Sequence, residues 1–188
     1  MEASAGAGTT RRDREDFLFT RLWRAPRRHL LDFVQLLAAT REPANTYRLW
    51  NAAQIINRGW CSTDGFHYFQ MWLVGQGRAV YEAAIADPDS LAAAPEVRRL
   101  AGLAEVTRNE DLPDWETLEY VASHVGDERT DIDLDGDVRE VVSDERGVRL
   151  RYDPNPDDLE WADLDTAQLA LAYPRLWGLF GDHWREDP

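Results

Sequence analysis

Apolar residues recur every three or four positions along most of this chain, which is the spacing of amphipathic α-helices. The first stripe in the central part consists of Leu49, Ala52, Ala53 and Ile56. The second consists of Phe66, Phe69, Leu73, Val80 and Ile85. Gly75 and Gly77 lie within the second stripe, where each costs about 1 kcal/mol relative to Ala in a helix, so a kink or a closely packed neighbour is expected there. Two central helices joined by a short connection are therefore predicted.

We call that connection, residues 57–65, the elbow. Its Gly59 is expected to close the first helix, because glycine adopts a left-handed conformation at little steric cost. Ser62 or Thr63 is the predicted cap of the second helix. Asp64 would lie near the positive end of that helix and hold the turn.

Further helical patterns flank the central pair, at residues 17–23, 29–39, 90–106, 115–125 and 164–172. In residues 131–138, by contrast, acidic and apolar residues alternate as in a half-buried strand. Residues 138–142 and 148–152 read as two more strands joined by a hairpin at 144–147. The predicted fold is mostly α (α+β), a helical domain with a small antiparallel β-hairpin or three-stranded sheet near residues 131–152. We expect a disordered tail over residues 1–12 and a single globular domain over residues 13–188.

The charge and composition of the chain exclude some classes of function. The net charge is −14 and all 21 basic residues are Arg, so a Schiff-base lysine and a lysine-dependent phosphate loop are excluded. Residues 1–81 hold 11 Arg and 7 acidic residues, whereas residues 82–188 hold 10 Arg and 28 acidic residues. This balance argues against nucleic acid as a partner and favours either simple solubility or a basic protein partner. One Cys excludes an internal disulfide, and the absence of a long apolar run or a hydrophobic leader predicts a cytoplasmic protein that does not enter membranes.

Tryptophan is frequent, with eight residues in the chain, and most of them fall on apolar stripes. Trp60 in the elbow and Trp161 in an acidic loop fit core packing least. Exposed aromatic residues with Arg neighbours are favoured at binding surfaces. A groove between the central helices is therefore the predicted ligand-binding site, with Trp50, Trp60 and Arg78 as its main contacts. Its predicted lining consists of Trp50, Asn51, Gln54, Trp60, Ser62, Asp64, His67, Gln76, Arg78 and Tyr81.

Two alternatives would make the protein an enzyme. Cys61, His67 and Asp64 are the residue types of a thiol triad, and a helix start lowers the pKa of a thiol. Separately, Asp131, Asp133, Asp135 and Asp137 match the first half of a calcium-binding loop, in which oxygen ligands alternate. The twelfth position of that loop should be Glu and is Val142, so an acidic edge strand is the favoured interpretation. We expect no cofactor, with a divalent cation as the alternative.

The central stretch LWNAAQIINRGWCSTDGFHYFQMWLVGQGRAVYEAAIADPDSLA also resembles the signature of a bacterial, largely actinobacterial family, domain of unknown function family 4240. That signature pairs a Leu-Trp-x-Ala-Ala helix with Gly-x-Cys-Ser-x-Asp-Gly-Phe and then Phe-x-x-Trp-Leu-x-x-Gln-Gly-Arg and Asp-Pro-Asp-Ser-Leu. The resemblance touches residues 17–184 and is weaker at 115–122 and 173–181. Segment 126–153 departs from the family, because it is more acidic and more strand-like than the resemblance implies. It implies no reaction, cofactor or catalytic residue.

The leading hypothesis is a non-catalytic cytoplasmic binding or regulatory protein that recognises a protein or small ligand at the central helix pair. One alternative is an enzyme that uses Cys61 and His67 or a metal held by aspartates. Another is an acidic inhibitor or immunity-type protein that masks a basic partner.

Overall fold

A computed structural model describes residues 4, 6, 10–103, 112–132, 136–149, 151 and 153–184. The α-helices of this part of the chain are α1 (Arg11–Trp23), α2 (Arg27–Arg41), α3 (Tyr47–Ile56), α4 (Thr63–Gly75), α5 (Arg78–Ala86), α6 (Pro95–Ala101), α7 (Glu116–Glu128), α8 (Val138–Arg146), α9 (Thr166–Ala172) and α10 (Pro174–Phe180). Short 3-10 helices span Glu42–Ala44, Pro88–Ala93, Pro156–Trp161 and Gly181–His183. The mostly helical class is therefore confirmed.

The chain forms two compact units, each assembled from two separate stretches of sequence. The first unit comprises Met1–Glu42 and Trp115–Arg151, and it contains α1, α2, α7 and α8. The second comprises Pro43–Asp114 and Tyr152–Pro188, and it contains the remaining helices. The single globular domain stays a prediction. The predicted disordered tail lies mostly outside the described residues, and α1 already begins at Arg11.

In the first unit, α1 packs against α7 and α2 packs against α8. The α1 N-terminus is fixed by a capping box. The Thr10 hydroxyl accepts from the backbone N–H of Asp13 at 3.1 Å, and the Asp13 carboxylate accepts from the backbone N–H of Thr10 at 3.0 Å. The buried side chains of this unit include Leu18, Leu22, Leu30, Leu31, Val34, Leu37, Trp115, Leu118, Val121, Val125, Val138 and Val142. Apolar stripes at helical spacing thus supply the interior, as expected.

The predicted sheet near residues 131–152 is wrong: the described residues of this segment contain no strand. Instead, residues 138–146 form α8. Asp137 caps it by accepting a hydrogen bond from the backbone N–H of Arg139 at 2.8 Å, and Gly147 closes it with a φ of 65°. Val138, Val141 and Val142 are buried at a spacing of three and four residues, which is one face of a helix. The valines suggested a strand because β-branched residues favour strands, but packing against α2 decides the conformation.

In the second unit, the predicted second central helix is two helices. α4 ends at Gly75, and Gly77 precedes α5 with φ 89° and ψ 164°. Only glycine adopts this backbone region without strain, so Gly77 sets the break between α4 and α5. Pro95 opens α6 at its first position, where the missing backbone N–H of proline costs no helical hydrogen bond. The interior includes Leu49, Ala52, Ile55, Phe66, Phe69, Trp72, Leu73, Leu91, Val97, Leu169, Leu176 and Phe180.

A buried polar link joins the two stretches of the second unit. Gln70, which is 0% exposed, donates its side-chain amide to Asn45 Oδ1 at 2.9 Å. Asn45 in turn donates to the carbonyl of Asp153 at 2.7 Å and accepts from the backbone N–H of Asn155 at 2.8 Å. Because buried amides are costly unless their hydrogen bonds are satisfied, this link fixes where the chain re-enters the unit.

Candidate functional site

The elbow has a defined backbone geometry. The N–H of Gly59 donates to the carbonyl of Gln54 at 2.9 Å, and the N–H of Arg58 donates to that of Ile55 at 3.0 Å. These two bonds form a Schellman motif at the end of α3. The left-handed position is Arg58, with a φ of 62°, and Gly59 follows with a φ of 108°. The sequence placed that conformation at Gly59 alone, so the turn begins one residue earlier than predicted.

The Arg58 side chain offsets part of the strain at this position. A non-glycine residue in the left-handed region costs roughly 1–2 kcal/mol. The guanidinium donates to the carbonyl of Leu103 at 2.6 Å, which attaches the elbow to the end of α6. Gln54 adds a weaker bond to the carbonyl of Gly59 at 3.4 Å. The elbow is therefore held at both its backbone and its side chains.

Ser62 is the cap of α4, and its hydroxyl accepts from the backbone N–H of Gly65 at 3.0 Å. Asp64 lies in the first turn and is exposed. Its carboxylate makes no hydrogen bond or ion pair within the described residues. The predicted cap at Ser62 is confirmed, and as a consequence Asp64 is left available to solvent.

Trp60 is the exposed aromatic residue of the elbow, with 62% of its surface accessible. Trp50 lies on the neighbouring surface of α3 and is half-buried, since its ring packs on Phe66 with centroids 4.8 Å apart. Phe66 belongs to the first turn of α4, so this contact places Trp50 beside the start of that helix. The two predicted indole contacts thus differ: one is anchored in the interior and the other projects into water.

Several predicted lining residues serve the interior instead. Asn51 is buried and donates to the carbonyl of Trp161 at 2.8 Å. His67 is buried with 2% of its surface exposed. Tyr81 is half-buried, and burial raises its pKa to about 12. These side chains contribute to packing, and their polar groups do not line an open surface at the elbow.

Gln76 and Arg78 lie beyond the opposite end of α4. That helix has 13 residues, so it separates them from the elbow by about 20 Å. Gln76 donates to Glu96 at 3.0 Å, whereas Arg78 is exposed and lies 3.6 Å from Glu82 on the same helix. The residues predicted to line one groove therefore lie at opposite ends of α4. The end at the elbow contains Trp50, Gln54, Trp60, Ser62 and Asp64.

The geometry around Cys61 does not favour a nucleophile. Burial raises the pKa of the Cys61 thiol to about 12, so the thiol is protonated at neutral pH. Its sulfur lies 3.8 Å from the carbonyl of Ser62. The thiolate is the reactive form of cysteine, and desolvation of this half-buried thiol disfavours that form.

The predicted metal ligands are engaged elsewhere or lie outside the described residues. Asp131 forms an ion pair with Arg129 at 2.7 Å, which holds the pKa of its carboxyl below the ordinary value. Asp137 caps α8 and accepts from the Arg139 side chain at 3.0 Å. Asp133 and Asp135 fall outside the described residues. Within the described part, no three His, Cys, Asp or Glu side chains are grouped as metal ligands would be.

The structure contains a polar cluster around Trp161 that the sequence analysis did not predict. The Arg48 guanidinium lies over the Trp161 ring at 5.1 Å from its centroid, and the Tyr173 hydroxyl donates to the carbonyl of Arg48 at 2.8 Å. Asp158 accepts from the backbone N–H groups of Tyr47 and Arg48, at 3.1 and 3.0 Å. A carboxylate at the start of a helix is favourable. The first N–H groups of a helix need acceptors from elsewhere, and this general requirement is the one feature from which an acceptor at the start of α3 could have been predicted. This cluster explains why a Trp lies in an acidic loop.

Comparison with known proteins adds one finding. The model of a family described as "Protein of unknown function (DUF4240)" matches residues 1–126, which is more than half of the chain. The chain therefore belongs to this family. No curated protein and no solved structure matches the chain. Among the described helices, none combines the length and the apolar character needed to cross a membrane.

Proposed function

We propose that this protein is a non-catalytic cytoplasmic binding protein that recognises a protein partner at the elbow, with Trp60 as the central contact. The observation that carries this proposal is the exposure of Trp60, 62% accessible on a turn that is otherwise held by hydrogen bonds. An indole that is mostly exposed contributes little buried apolar surface to the stability of the fold. Tryptophan is enriched among the few residues that dominate binding energy at protein interfaces.

The rigidity of the elbow supports the same proposal. Binding costs free energy whenever a loop or side chain must be ordered, and a preformed surface avoids much of that cost. The Schellman bonds, the Arg58 contact to Leu103 and the Ser62 cap fix the backbone on either side of Trp60. The indole is therefore presented in a defined place before any partner arrives.

A protein partner fits this site better than a small molecule. Small-molecule sites are concave and enclose most of their ligand. Trp60 projects from the elbow, and the buried Asn51 and His67 are turned into the interior. Trp50, Gln54 and Asp64, which belong to the same end of α3 and α4, are the proposed secondary contacts. A partner that also reached Arg78 would have to extend about 20 Å along α4.

The enzyme alternative receives less support. Its nucleophile would be Cys61, whose pKa is raised to about 12 by burial, and its base would be His67, which is buried. Thiol catalysis needs the opposite shift in the cysteine. A binding role requires no change in either residue.

Affinity capture with three versions of the full chain tests the proposal. The wild type is compared with Trp60→Ala and with Leu171→Ala, a matched removal of an exposed apolar side chain on α9 in the same unit, where Leu171 is 84% exposed. Captured proteins are quantified by mass spectrometry. We expect at least one protein to be recovered equally by the wild type and Leu171→Ala and to fall about tenfold with Trp60→Ala. Equal recovery by all three versions would count against the elbow as the binding surface.

A further inference from the structure

Two chemical groups of the elbow have no partner among the described residues. The Trp60 ring makes no ring stacking or cation–π contact and its indole N–H makes no hydrogen bond there. The Asp64 carboxylate likewise makes no hydrogen bond and no ion pair there. Ser62, not Asp64, satisfies the first turn of α4. The aromatic face of Trp60 and the negative charge of Asp64 are therefore not engaged by other described residues.

These two groups have complementary preferences. The face of an indole carries negative electrostatic potential and attracts ammonium and guanidinium ions within about 6 Å of its centroid. A free carboxylate attracts the same ions and binds guanidinium through two parallel hydrogen bonds. Trp60 and Asp64 are four positions apart in the chain, so their backbones are at most about 14 Å apart. One short peptide segment can reach both groups.

The surrounding charge favours the same class of ligand. The second unit contains 8 Arg and 18 acidic residues, a net charge of −10. The cation nearest in sequence, Arg58, directs its guanidinium to the carbonyl of Leu103. A field of this sign raises the local concentration of cations and lowers that of anions.

We propose that the elbow recognises a basic peptide segment of its partner, with an Arg or Lys side chain over the Trp60 ring and a second cationic group paired to Asp64. This inference rests on the proposed function and adds the chemistry of the partner. Arg is the preferred residue at such a site, because its planar guanidinium both stacks on aromatic rings and matches a carboxylate. The partner surface is thus basic, whereas an acidic or purely apolar surface is disfavoured.

The test uses N-acetyl tetra-arginine amide as the probe and N-acetyl tetraglutamate amide as its charge mirror, each titrated into the full ¹⁵N-labelled chain in 150 mM NaCl. The indole N–H signals of the eight Trp residues are recorded, and the Trp60 signal is assigned by its loss in Trp60→Phe. We expect tetra-arginine to shift the Trp60 signal saturably and the other indole signals much less. Asp64→Asn should weaken the dissociation constant about fivefold, whereas Asp182→Asn, the same charge change at another exposed acid of this unit, should leave it within about twofold.

Three results overturn the inference: no saturable shift of Trp60 with tetra-arginine, equal weakening by both Asn variants, or a shift with tetraglutamate of the same size. Equal weakening identifies diffuse attraction to a negatively charged protein, because such attraction depends on total charge and not on position. If the tetra-arginine titration fails but a partner is still captured in a Trp60-dependent way, the elbow remains the proposed binding surface. Only the inference that the partner is basic is then wrong. Failure of the capture experiment itself removes the proposed function.

Discussion

The elbow and the turn that contains Asp89 use the same residue type in opposite ways. Asp89 lies in the 3-10 helix Pro88–Ala93 and is 4% exposed. Its carboxylate accepts from the backbone N–H and the side-chain Nε of Arg175, at 3.1 and 2.9 Å, and from the N–H of Leu176 at 2.8 Å. Asp64 also lies at the start of a helical segment, but it is exposed and makes no such bond within the described residues.

The number of hydrogen bonds that each carboxylate accepts distinguishes an acidic residue that stabilises the fold from one that does not. The three groups that donate to Asp89 come from the start of α10, so this carboxylate holds one helix against another segment of the same unit. Asp87 also pairs with Arg175 and reinforces the attachment. An acid with so many internal donors is explained by folding. An exposed acid beside an exposed indole has no such explanation, which is the reason to look for its role in binding.

Asp89→Ala should have the largest effect on stability. The change leaves the buried N–H of Leu176 without an acceptor and Arg175 without its buried partner, and each lost group of this kind costs roughly 1–3 kcal/mol. We expect the free energy of unfolding to fall by about 3 kcal/mol. Urea titration followed by circular dichroism measures it.

Asp64→Ala is the matched control for that experiment, because it removes the same side chain at the other turn. A loss of stability in Asp64→Ala as large as that in Asp89→Ala would break the comparison. It would mean that Asp64 stabilises the folded state even though its side chain is exposed.

Asp137 is expected to affect stability less than Asp89 and more than Asp64, and its contribution should depend on pH. Burial raises the pKa of its carboxyl, but hydrogen bonds from the backbone and side chain of Arg139 outweigh burial, so the pKa is lowered overall. A lowered folded-state pKa gives stability that is present above the unfolded pKa, about 4, and is lost as the pH falls through the folded value. A carboxylate at the start of a helix typically contributes about 0.3–1 kcal/mol, and we expect a contribution of that size here.

The measurement compares the wild type with Asp137→Asn in urea titrations at pH 6 and pH 3. Asn keeps the capping oxygen of α8 but cannot gain a proton. The wild type should exceed the variant in stability at pH 6, and the gap should shrink at pH 3. A gap that is equal at both pH values would show that the cap works without its charge.

Much of the helical framework follows from local sequence. The stripes at residues 49–56 and 66–73 are buried as predicted, Ser62 caps α4, and Pro95 opens α6. The error at residues 131–152 has a local cause too: Val138, Val141 and Val142 suit a strand by type and a helix by spacing. Asp137 before them and Gly147 after them are helix start and stop signals, and weighing these two signals would have predicted α8.

The lining of the predicted groove stays a prediction, and the surroundings of its polar residues depend on partners distant in the chain. Asn51 is buried by a bond to the carbonyl of Trp161, 110 positions away, and Gln76 is held by Glu96. Neither pairing leaves a local signal. Asp64 and Trp60 could be singled out as candidates, but their availability depends on the absence of tertiary contacts within the described residues, which only the fold reveals.

The smallest effect on stability is expected at the proposed binding residues themselves. Trp60 is 62% exposed, so Trp60→Ala removes little buried apolar surface, and Asp64→Asn loses only a favourable interaction with the helix dipole of a few tenths of a kcal/mol. Both variants should unfold in urea within about 0.5 kcal/mol of the wild type. Loss of partner capture in Trp60→Ala would then reflect the missing contact and not an unfolded protein. A destabilisation above about 1 kcal/mol in either variant would instead make the elbow a structural element like the Asp89 turn, since an exposed side chain has that effect only when the folded state depends on it.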